Sequence, residues 1–290
     1  MTILYYILGE NSDIYVQAYF SILSFKRQLQ KDDRIVIITS NPKFFNHLNF
    51  AEIIPVDEKR ITEWKGKHNF FWRTKLKAIE TICTLYPADD MLYIDCDTFL
   101  YGDFTALKQE IKNGKSFMDG NEGHPSKTTH KHKRLFNTLK GKNIADITIS
   151  EKHDMWCAGV CGLPSEKKSE LISTALSLCD GMLEENVDPE FIEQYSLSIA
   201  LKEKSDLTSS KPYIAHYWSN KPQWINEAKQ LLLTSLFTNA DLDTELQLFS
   251  EIQLNQIPIY IKKHKTNKTI KKLADKYFPD DKQSYVNTNS

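Results

Sequence analysis

The fold of this chain is decided by the stretch Met91-Leu92-Tyr93-Ile94-Asp95-Cys96-Asp97-Thr98-Phe99-Leu100. The apolar run before Asp95 is typical of a strand that is buried on both faces in a parallel sheet. Two carboxylates one residue apart follow it, and ligands of open α/β sheets bind at such strand ends. Neighbouring acids repel each other, and burying both as charged groups requires a cation. Although Asp-x-Asp can also open an ordinary turn, the buried strand favours a site for Mg²⁺ or Mn²⁺ that also takes phosphate oxygens.

Length, composition and charge indicate which classes of protein this chain can belong to. With 290 residues, the chain can form one large α/β domain or two small ones. Its 37 basic and 38 acidic residues give a net charge of -1, so nothing indicates binding to nucleic acid. The apolar run at residues 2–8 is too short for a membrane span or a signal sequence, and it predicts a first strand in a cytoplasmic protein.

The cysteines are scattered along the sequence and form no Cys-x-x-Cys pair. The five are Cys83, Cys96, Cys157, Cys161 and Cys179. This spacing argues against a disulfide framework and against structural zinc, and it predicts reduced thiols.

Strands and helices alternate in the first half of the chain. Apolar runs predict strands at residues 2–8, 34–39 and 52–56. A helical pattern follows the first strand, and a helix over residues 71–85 precedes the acidic strand. This β-α-β alternation predicts a mostly parallel sheet flanked by helices.

The second half is less regular. Further strands and helices are predicted, with strands at 116–119, 155–163 and 212–217 and helices at 167–183, 189–202 and 224–249. Residues 121–133 form a polar segment that fits a mobile lid with solvated histidines at His124, His130 and His132. The segment from Lys262 to Lys276 carries seven lysines. It fits either a helix on an anionic membrane surface or a solvated charged helix.

Residues 1–225 resemble glycosyltransferases of the GT-A fold, and most of all those of family 8, the group of glycogenin and the bacterial lipopolysaccharide galactosyl- and glucosyltransferases. The likeness lies in the stretches 5–15, 71–76, 92–103 and 213–224, with weaker support from 155–162 and Glu193-Gln194. It implies a GT-A catalytic domain, and the residue pattern beyond it predicts a helical extension and a disordered tail. The nucleotide-sugar half would span 1–120, the acceptor half 121–225, the helical, basic C-terminal extension 226–280 and the tail 281–290.

The resemblance implies a metal site. Asp95 and Asp97 would hold Mn²⁺ or Mg²⁺, with Asp95 also near the ribose and His216 as the third protein ligand. Lys221, in the patch His-Tyr-Trp-Ser-Asn-Lys-Pro that begins at His216, would meet the diphosphate. The chemistry agrees, because a metal and a lysine both stabilise the negative charge of a leaving diphosphate. An imidazole ligand favours Mn²⁺ over Mg²⁺. For a lone histidine, a hydrogen-bonded structural role is the simpler alternative.

The resemblance also implies where the nucleotide binds. The base and ribose would lie against the loop after the first strand, at Leu8, Gly9 and Asn11. Tyr15 would either stack on the base or belong to the core. Residues two apart on a helix do not share a face, and of Arg73 and its neighbour Lys75 the family pattern favours Arg73 as the residue that faces the nucleotide sugar.

The donor sugar would lie beside Gly159, and Glu193 and Gln194 would sit beneath its anomeric carbon, as in retaining members of the family. In this interpretation Gln194, Glu193 and Lys221 are the catalytic residues. Exposed positions on a helix are the alternative for the first two. An inverting enzyme would need a carboxylate base instead, and by position this role fits three residues. They are Asp119, Glu122 and Asp154.

We therefore expect a metal-dependent glycosyltransferase. It would transfer a hexose from a nucleotide diphosphate sugar, UDP-Gal or UDP-Glc, to a hydroxyl of a glycan or lipid-linked saccharide, as in surface polysaccharide synthesis. The basic segment that ends at Lys276 would bring it to the inner face of the membrane.

Two alternatives remain open. The sequence Asp95-Cys96-Asp97-Thr98 also fits the aspartyl nucleophile strand of a haloacid-dehalogenase-like phosphatase, although that strand usually opens its domain. Cys157 stands where the family usually has asparagine, and Ser219 where it has glycine. These departures fit a protein that binds a nucleotide sugar without turning it over.

Overall fold

The computed structural model describes residues 1–261, 269–270, 273–274 and 276–277. None of the helices in these ranges is long and apolar enough to cross a membrane. Most of the predicted membrane-surface segment from Lys262 to Lys276 lies outside the described residues, as does the predicted tail at 281–290.

The described residues form eleven strands. They are β1 (Thr2–Ile7), β2 (Arg34–Thr39), β3 (Ala51–Pro55), β4 (Met91–Ile94), β5 (Thr98–Leu100), β6 (Lys115–Gly123), β7 (Asn143–Ile144), β8 (Ile147–Thr148), β9 (Met155–Leu163), β10 (Asp206–Ser209) and β11 (Ile214–His216). Seven of them form one sheet in the order β10-β6-β9-β4-β1-β2-β3. Strand β9 is antiparallel to both neighbours, and every other pair in this sheet is parallel. The predicted α/β class with a mostly parallel sheet is confirmed.

Helices cover both faces of the sheet. They are α1 (Ser12–Lys26), α2 (Glu58–Lys65), α3 (Arg73–Leu85), α4 (Phe104–Lys112), α5 (His130–Leu139), α6 (Lys168–Leu183), α7 (Ile192–Lys204), α8 (Lys221–Thr238) and α9 (Leu242–Glu251). Side chains of the preceding residue cap several of them, for example Asp57 before α2 and Asp103 before α4. Each such cap accepts hydrogen bonds from backbone N–H groups that the first helical turn leaves unpaired.

The core has two parts, one on each face of the sheet. Leu4 and Tyr93 point into the part covered by α3, α6 and α7, whereas Ile3 and Leu92 point into the part covered by α1, α4, α8 and α9. This alternation follows from the two-residue period of a strand. Because both faces are covered, β1 and β4 are apolar throughout, which is why their sequences predicted buried strands.

The polar segment at residues 121–133 is not the loop that its composition predicted. Strand β6 continues to Gly123, and helix α5 begins at His130 with Thr129 as its N-cap. Leu135, Phe136 and Leu139 on α5 are buried, which anchors the helix to the core. His132 lies on the same inner side with only 5% of its surface exposed, so it is not a solvated histidine.

The two C-terminal helices belong to the core. Trp224 on α8 lies 6.1 Å from the ring of Phe20 on α1, and Phe249 on α9 lies 4.8 Å from that same ring. Asn239, in a left-handed conformation, ends α8, and Asp241 caps α9. The predicted boundary after residue 225 therefore falls inside one helix.

Replacing Phe249 by alanine should lower the free energy of unfolding by about 3–5 kcal/mol, because it empties a fully buried site. Phe237 on α8 is 83% exposed, and the matched change Phe237→Ala should cost less than about 0.5 kcal/mol. Urea unfolding of both variants measures the difference. Equal, small losses would mean that α9 does not support the domain.

Candidate functional site

The acidic stretch follows β4 at the carboxyl edge of the sheet. The N–H of Asp95 donates to the carbonyl of Gly159 on β9 at 2.8 Å. The chain then enters β5, which pairs antiparallel with β11 so that His216 lies opposite Thr98. The N–H of Tyr217 donates to the carbonyl of Asp97 at 3.0 Å. This small two-stranded sheet is what brings a histidine more than a hundred residues away next to the acids.

Three predicted metal ligands converge here. One ligand atom from each of Asp95, Asp97 and His216 lies within 4.8 Å of the other two. His216 Nε2 is 3.4 Å from Asp97 Oδ2, and Lys221 Nζ is 2.9 Å from the same oxygen. Two carboxylates and one imidazole suit an ion of the Mn²⁺ type, so the residues present fit the predicted metal. The identity of the ion stays a prediction.

The charges of this cluster are mutually stabilised. Burial opposes the charge of Asp97, but contacts with His216 and Lys221 outweigh it and hold the pKa of Asp97 well below its ordinary value. Burial likewise opposes a charge on His216, yet Asp119 and Asp97 raise the pKa of its imidazole well above the ordinary value. In the metal-free protein these contacts favour a protonated imidazole between the two carboxylates.

Asp119 orients the imidazole. Its Oδ2 lies 3.0 Å from His216 Nδ1, and the side chain is buried at the end of the apolar part of β6. A proton on Nδ1 that is shared with Asp119 leaves Nε2 facing Asp97, as in the carboxylate–histidine–metal arrangements of metalloproteins. Sequence reasoning considered Asp119 only as a possible base. The signal for this contact was an acid directly after the buried Phe117-Met118 pair, the same pattern that precedes Asp95.

Gly159 makes room for the histidine. A Cβ atom at this position would lie 2.3 Å from His216 Cε1, far inside van der Waals contact. Only glycine allows the imidazole to lie against β9. Contact of Gly159 with the donor sugar stays a prediction. The structure shows that a glycine is required here for a steric reason, the close approach of His216.

Lys75, and not Arg73, faces the site. Lys75 Nζ donates to the carbonyl of Ala158 at 2.7 Å and lies 3.5 Å from Asp95 Oδ1 and 3.3 Å from Glu193 Oε1. Burial opposes its charge, but the two carboxylates raise the pKa of Lys75 above its ordinary value. Asp95 also accepts from the Tyr93 hydroxyl at 2.5 Å.

Arg73 was predicted to face the nucleotide sugar, but its hydrogen-bond partners lie elsewhere. Its guanidinium forms a two-point ion pair with Asp180 on α6, at 2.6 and 2.9 Å, and donates to the carbonyl of Trp64 at 2.8 Å. Residues two positions apart on a helix point in nearly opposite directions. Since Lys75 faces the acidic strand, Arg73 must face away from it.

Glu193 and Gln194 both line the cavity beside the cluster, rather than lying on an exposed helix face. Glu193 is buried at the start of α7, and this burial raises its pKa although Lys75 acts in the opposite direction. Gln194 Nε2 donates to Glu122 Oε2 at 3.0 Å. Burial also raises the pKa of Glu122.

The cavity has a volume of about 470 Å³, within the usual range of small-molecule sites. Besides the charged groups, two half-exposed aromatic side chains line it, Trp72 and Trp218. The inner side of α5 contributes His132. None of these three was predicted as a site residue, although Trp72 and Trp218 lie in the stretches 71–76 and 213–224 that carry the resemblance.

A second cavity, of about 450 Å³, lies at the carboxyl ends of β1 and β2. Leu8 and Gly9 of the predicted nucleotide loop line it, and nucleotide binding there stays a prediction. This cavity reaches Phe71, whose ring contacts that of Trp72 in the first cavity at 5.2 Å. Two other predicted residues of this loop do not line it. Asn11 caps α1 by accepting from the N–H of Asp13.

Tyr15 belongs to the core. It is 4% exposed, stacks on Phe44 with ring centroids 4.1 Å apart and donates its hydroxyl to the carbonyl of Gly9 at 2.6 Å. The alternative of a ring that stacks on the base is therefore corrected. Its contribution is to hold the Gly9 turn in place.

Comparisons with known proteins leave the family open. No protein-family model matches this chain, and a search of curated proteins finds no match. What the site can do is therefore inferred from its own residues.

Proposed function

We propose that this protein is a metal-dependent glycosyltransferase of the GT-A type, most similar to family 8, that transfers a hexose from a UDP-sugar to a hydroxyl of a glycan or lipid-linked saccharide. One observation carries the proposal. Asp95, Asp97, His216 and Lys221 converge at the end of a central strand, in a cavity of ligand size. The expected location at the inner face of a membrane stays a prediction.

The arrangement of the two cavities supports a nucleotide sugar. Both lie at the carboxyl edge of the sheet, where α/β folds bind ligands. A nucleoside in the cavity at Leu8 and Gly9 would direct its diphosphate toward Lys221 and the acids. The sugar would then occupy the cavity beside Gly159 and Glu193.

Each charged residue has a task in this reaction. Asp95, Asp97 and His216 would hold Mn²⁺, which when bound supplies a Lewis acid that stabilises the departing diphosphate. Lys221 adds a positive charge on the same side. Lys75 holds Asp95 in place and neutralises the buried Glu193 beside it. Retention of configuration through Glu193 and Gln194 remains the expectation.

The phosphatase alternative is less well supported. Asp97 is engaged by both His216 and Lys221, and an aspartyl nucleophile strand alone gives these residues no task. A binding protein without turnover stays the second candidate, because Cys157 lies 3.6 Å from His216 and no asparagine amide is present there for a sugar hydroxyl.

Calorimetry with UDP, with and without Mn²⁺, tests the proposal first. We expect binding that requires the metal, followed by release of UDP from UDP-Gal or UDP-Glc in a panel of nucleotide sugars. Tight binding without release would select the binding protein. Hydrolysis of simple phosphomonoesters without UDP binding would select the phosphatase, and the glycosyltransferase would be abandoned.

Replacing Gly159 by alanine should lower Mn²⁺ affinity by about 10- to 100-fold, because the added Cβ displaces the imidazole of His216. Gly162→Ala on the same strand is the matched control, since the atoms nearest its Cβ would belong to the side chains of Ile111, Phe117 and Leu92, away from His216. Both variants can lose stability, but only the first should lose Mn²⁺ binding, measured by electron paramagnetic resonance of free Mn²⁺. An unchanged Mn²⁺ affinity in Gly159→Ala would mean that His216 does not bind the metal.

A further inference from the structure

A second group of ligand atoms meets at the other nitrogen of the same imidazole. Asp119 Oδ2 is 3.0 Å and Cys157 Sγ is 3.6 Å from His216 Nδ1. All three ligand atoms lie within 4.8 Å of one another. They come from three different strands, β6 and β9 of the central sheet and β11 of the two-stranded sheet, so strands and not one flexible loop hold the arrangement.

Both distances to His216 Nδ1 lie within about 0.3 Å of those expected in a zinc site. Around a tetrahedral zinc ion, the usual bond lengths place nitrogen and oxygen ligands about 3.3 Å apart and nitrogen and sulfur ligands about 3.5 Å apart. The set also contains a thiol, which hard ions such as Mn²⁺ avoid and zinc-class ions prefer. Cys157 lines the cavity, so an ion can reach it from solvent.

We propose that Asp119, Cys157 and His216 form a second metal site, selective for zinc-class ions, whose occupation excludes Mn²⁺ from the first. Three protein ligands leave one position for water. Zinc binding at this site is inferred from the geometry alone, whereas the inhibition of sugar transfer rests on the proposed function. Zinc would then act as an inhibitor of sugar transfer.

The exclusion follows from the chemistry of one imidazole. A neutral ring has one nitrogen that carries a proton and one that can bind a metal. With Mn²⁺ on Nε2, the proton sits on Nδ1 and is shared with Asp119. With zinc on Nδ1, the proton moves to Nε2 and points at Asp97, which removes the third ligand of the first site. Zinc binding to the metal-free protein also displaces the thiol proton of Cys157 and the Nδ1 proton of the protonated imidazole to the solvent.

Titration of the full chain with Co²⁺, a spectroscopic substitute for zinc, tests the site directly. We expect a thiolate-to-cobalt charge-transfer band at one equivalent, which Zn²⁺ abolishes. The band should be absent in Cys157→Ser and present in Cys96→Ser, whose thiol lies next to the acids but packs against the core. Asp119→Asn should weaken Co²⁺ binding while the band remains at higher Co²⁺ concentration.

A second measurement tests the exclusion. Zn²⁺ added to the Mn²⁺-loaded protein should release one equivalent of Mn²⁺, seen as the resonance of the free ion, and Cys157→Ser should prevent the release. A missing band, or a band that persists in Cys157→Ser, would overturn the second site. A band without Mn²⁺ release would overturn the exclusion. A Cys157-dependent band in a protein that transfers no sugar would leave the site intact and remove the proposed function.

Discussion

The change Asp97→Asn is expected to lower metal-dependent turnover of the donor by about 10²- to 10³-fold. Asp97 is the residue on which His216 and Lys221 both converge, and asparagine keeps its shape while removing its charge. Without that charge the cluster keeps one carboxylate, Asp95, beside the cations Lys75 and Lys221, which repel a divalent cation. Release of UDP from the donor that the panel selects measures the effect.

The same variant should lose its response to the metal. At a Mn²⁺ concentration about 100 times its Kd, the unchanged protein should gain about 2.7 kcal/mol of stability, and Asp97→Asn almost none. Asp32→Asn, an exposed acid in a turn, is the control and should behave like the parent. If Asp97→Asn keeps both turnover and the Mn²⁺-induced rise in melting temperature, this aspartate does not bind the ion.

The change Lys75→Met should cost about 3 kcal/mol or more of folding stability, with activity lost as well. Lys75 is 6% exposed and lies between Asp95 and Glu193. Methionine fills a similar volume but leaves these carboxylates without their buried counter-charge. Lys77, two residues along the same helix, pairs with Glu80 at the surface. The matched change Lys77→Met should cost less than about 0.5 kcal/mol in the same urea titration.

The loss should depend on pH in a defined direction. Burial raises the pKa of Glu193, and Lys75 counteracts this, so the pKa rises further in Lys75→Met. A group whose pKa is higher in the folded state stabilises the fold at pH below its unfolded pKa, and this stabilisation is lost as the pH rises through the folded pKa. In chelator-treated protein, the free energy of unfolding of Lys75→Met should therefore differ less from that of the parent at about pH 5 than at about pH 8. An equal loss of stability at both pH values would mean that ionisation of the buried Glu193 is not the cause of the loss.

Several elements could be predicted because they depend on local patterns. Strand β9 was expected at residues 155–163 and β2 at 34–39, and both are observed with these bounds. A buried strand must be apolar along its whole length, and that requirement is visible in the sequence. The helix α5 was missed because a few buried side chains anchor it while its remaining residues are polar.

The candidate site likewise has features that the sequence predicts and features that only the fold decides. The acids after β4 could be recognised from the sequence, since charged residues rarely follow a fully buried strand without a partner. The choice between Arg73 and Lys75 could not be made correctly, because it depends on which side of α3 faces the acids. The pairing of Asp119 with His216 requires β6 of the central sheet to lie next to β11 of the two-stranded sheet, and no local pattern encodes it.

The sequence by itself determined the α/β class, the central strand and the pair of carboxylates at its end. Those features follow from short apolar runs and from the polar residues that end them, patterns that span only a few positions. Only the tertiary structure decided which cations neutralise the acids, that one imidazole contacts two groups of ligand atoms, and that the C-terminal helices complete the core. These contacts join residues more than two hundred positions apart, as for Phe20 and Phe249. They form because burial of a charge is costly without a partner, and the fold alone determines which partner is near.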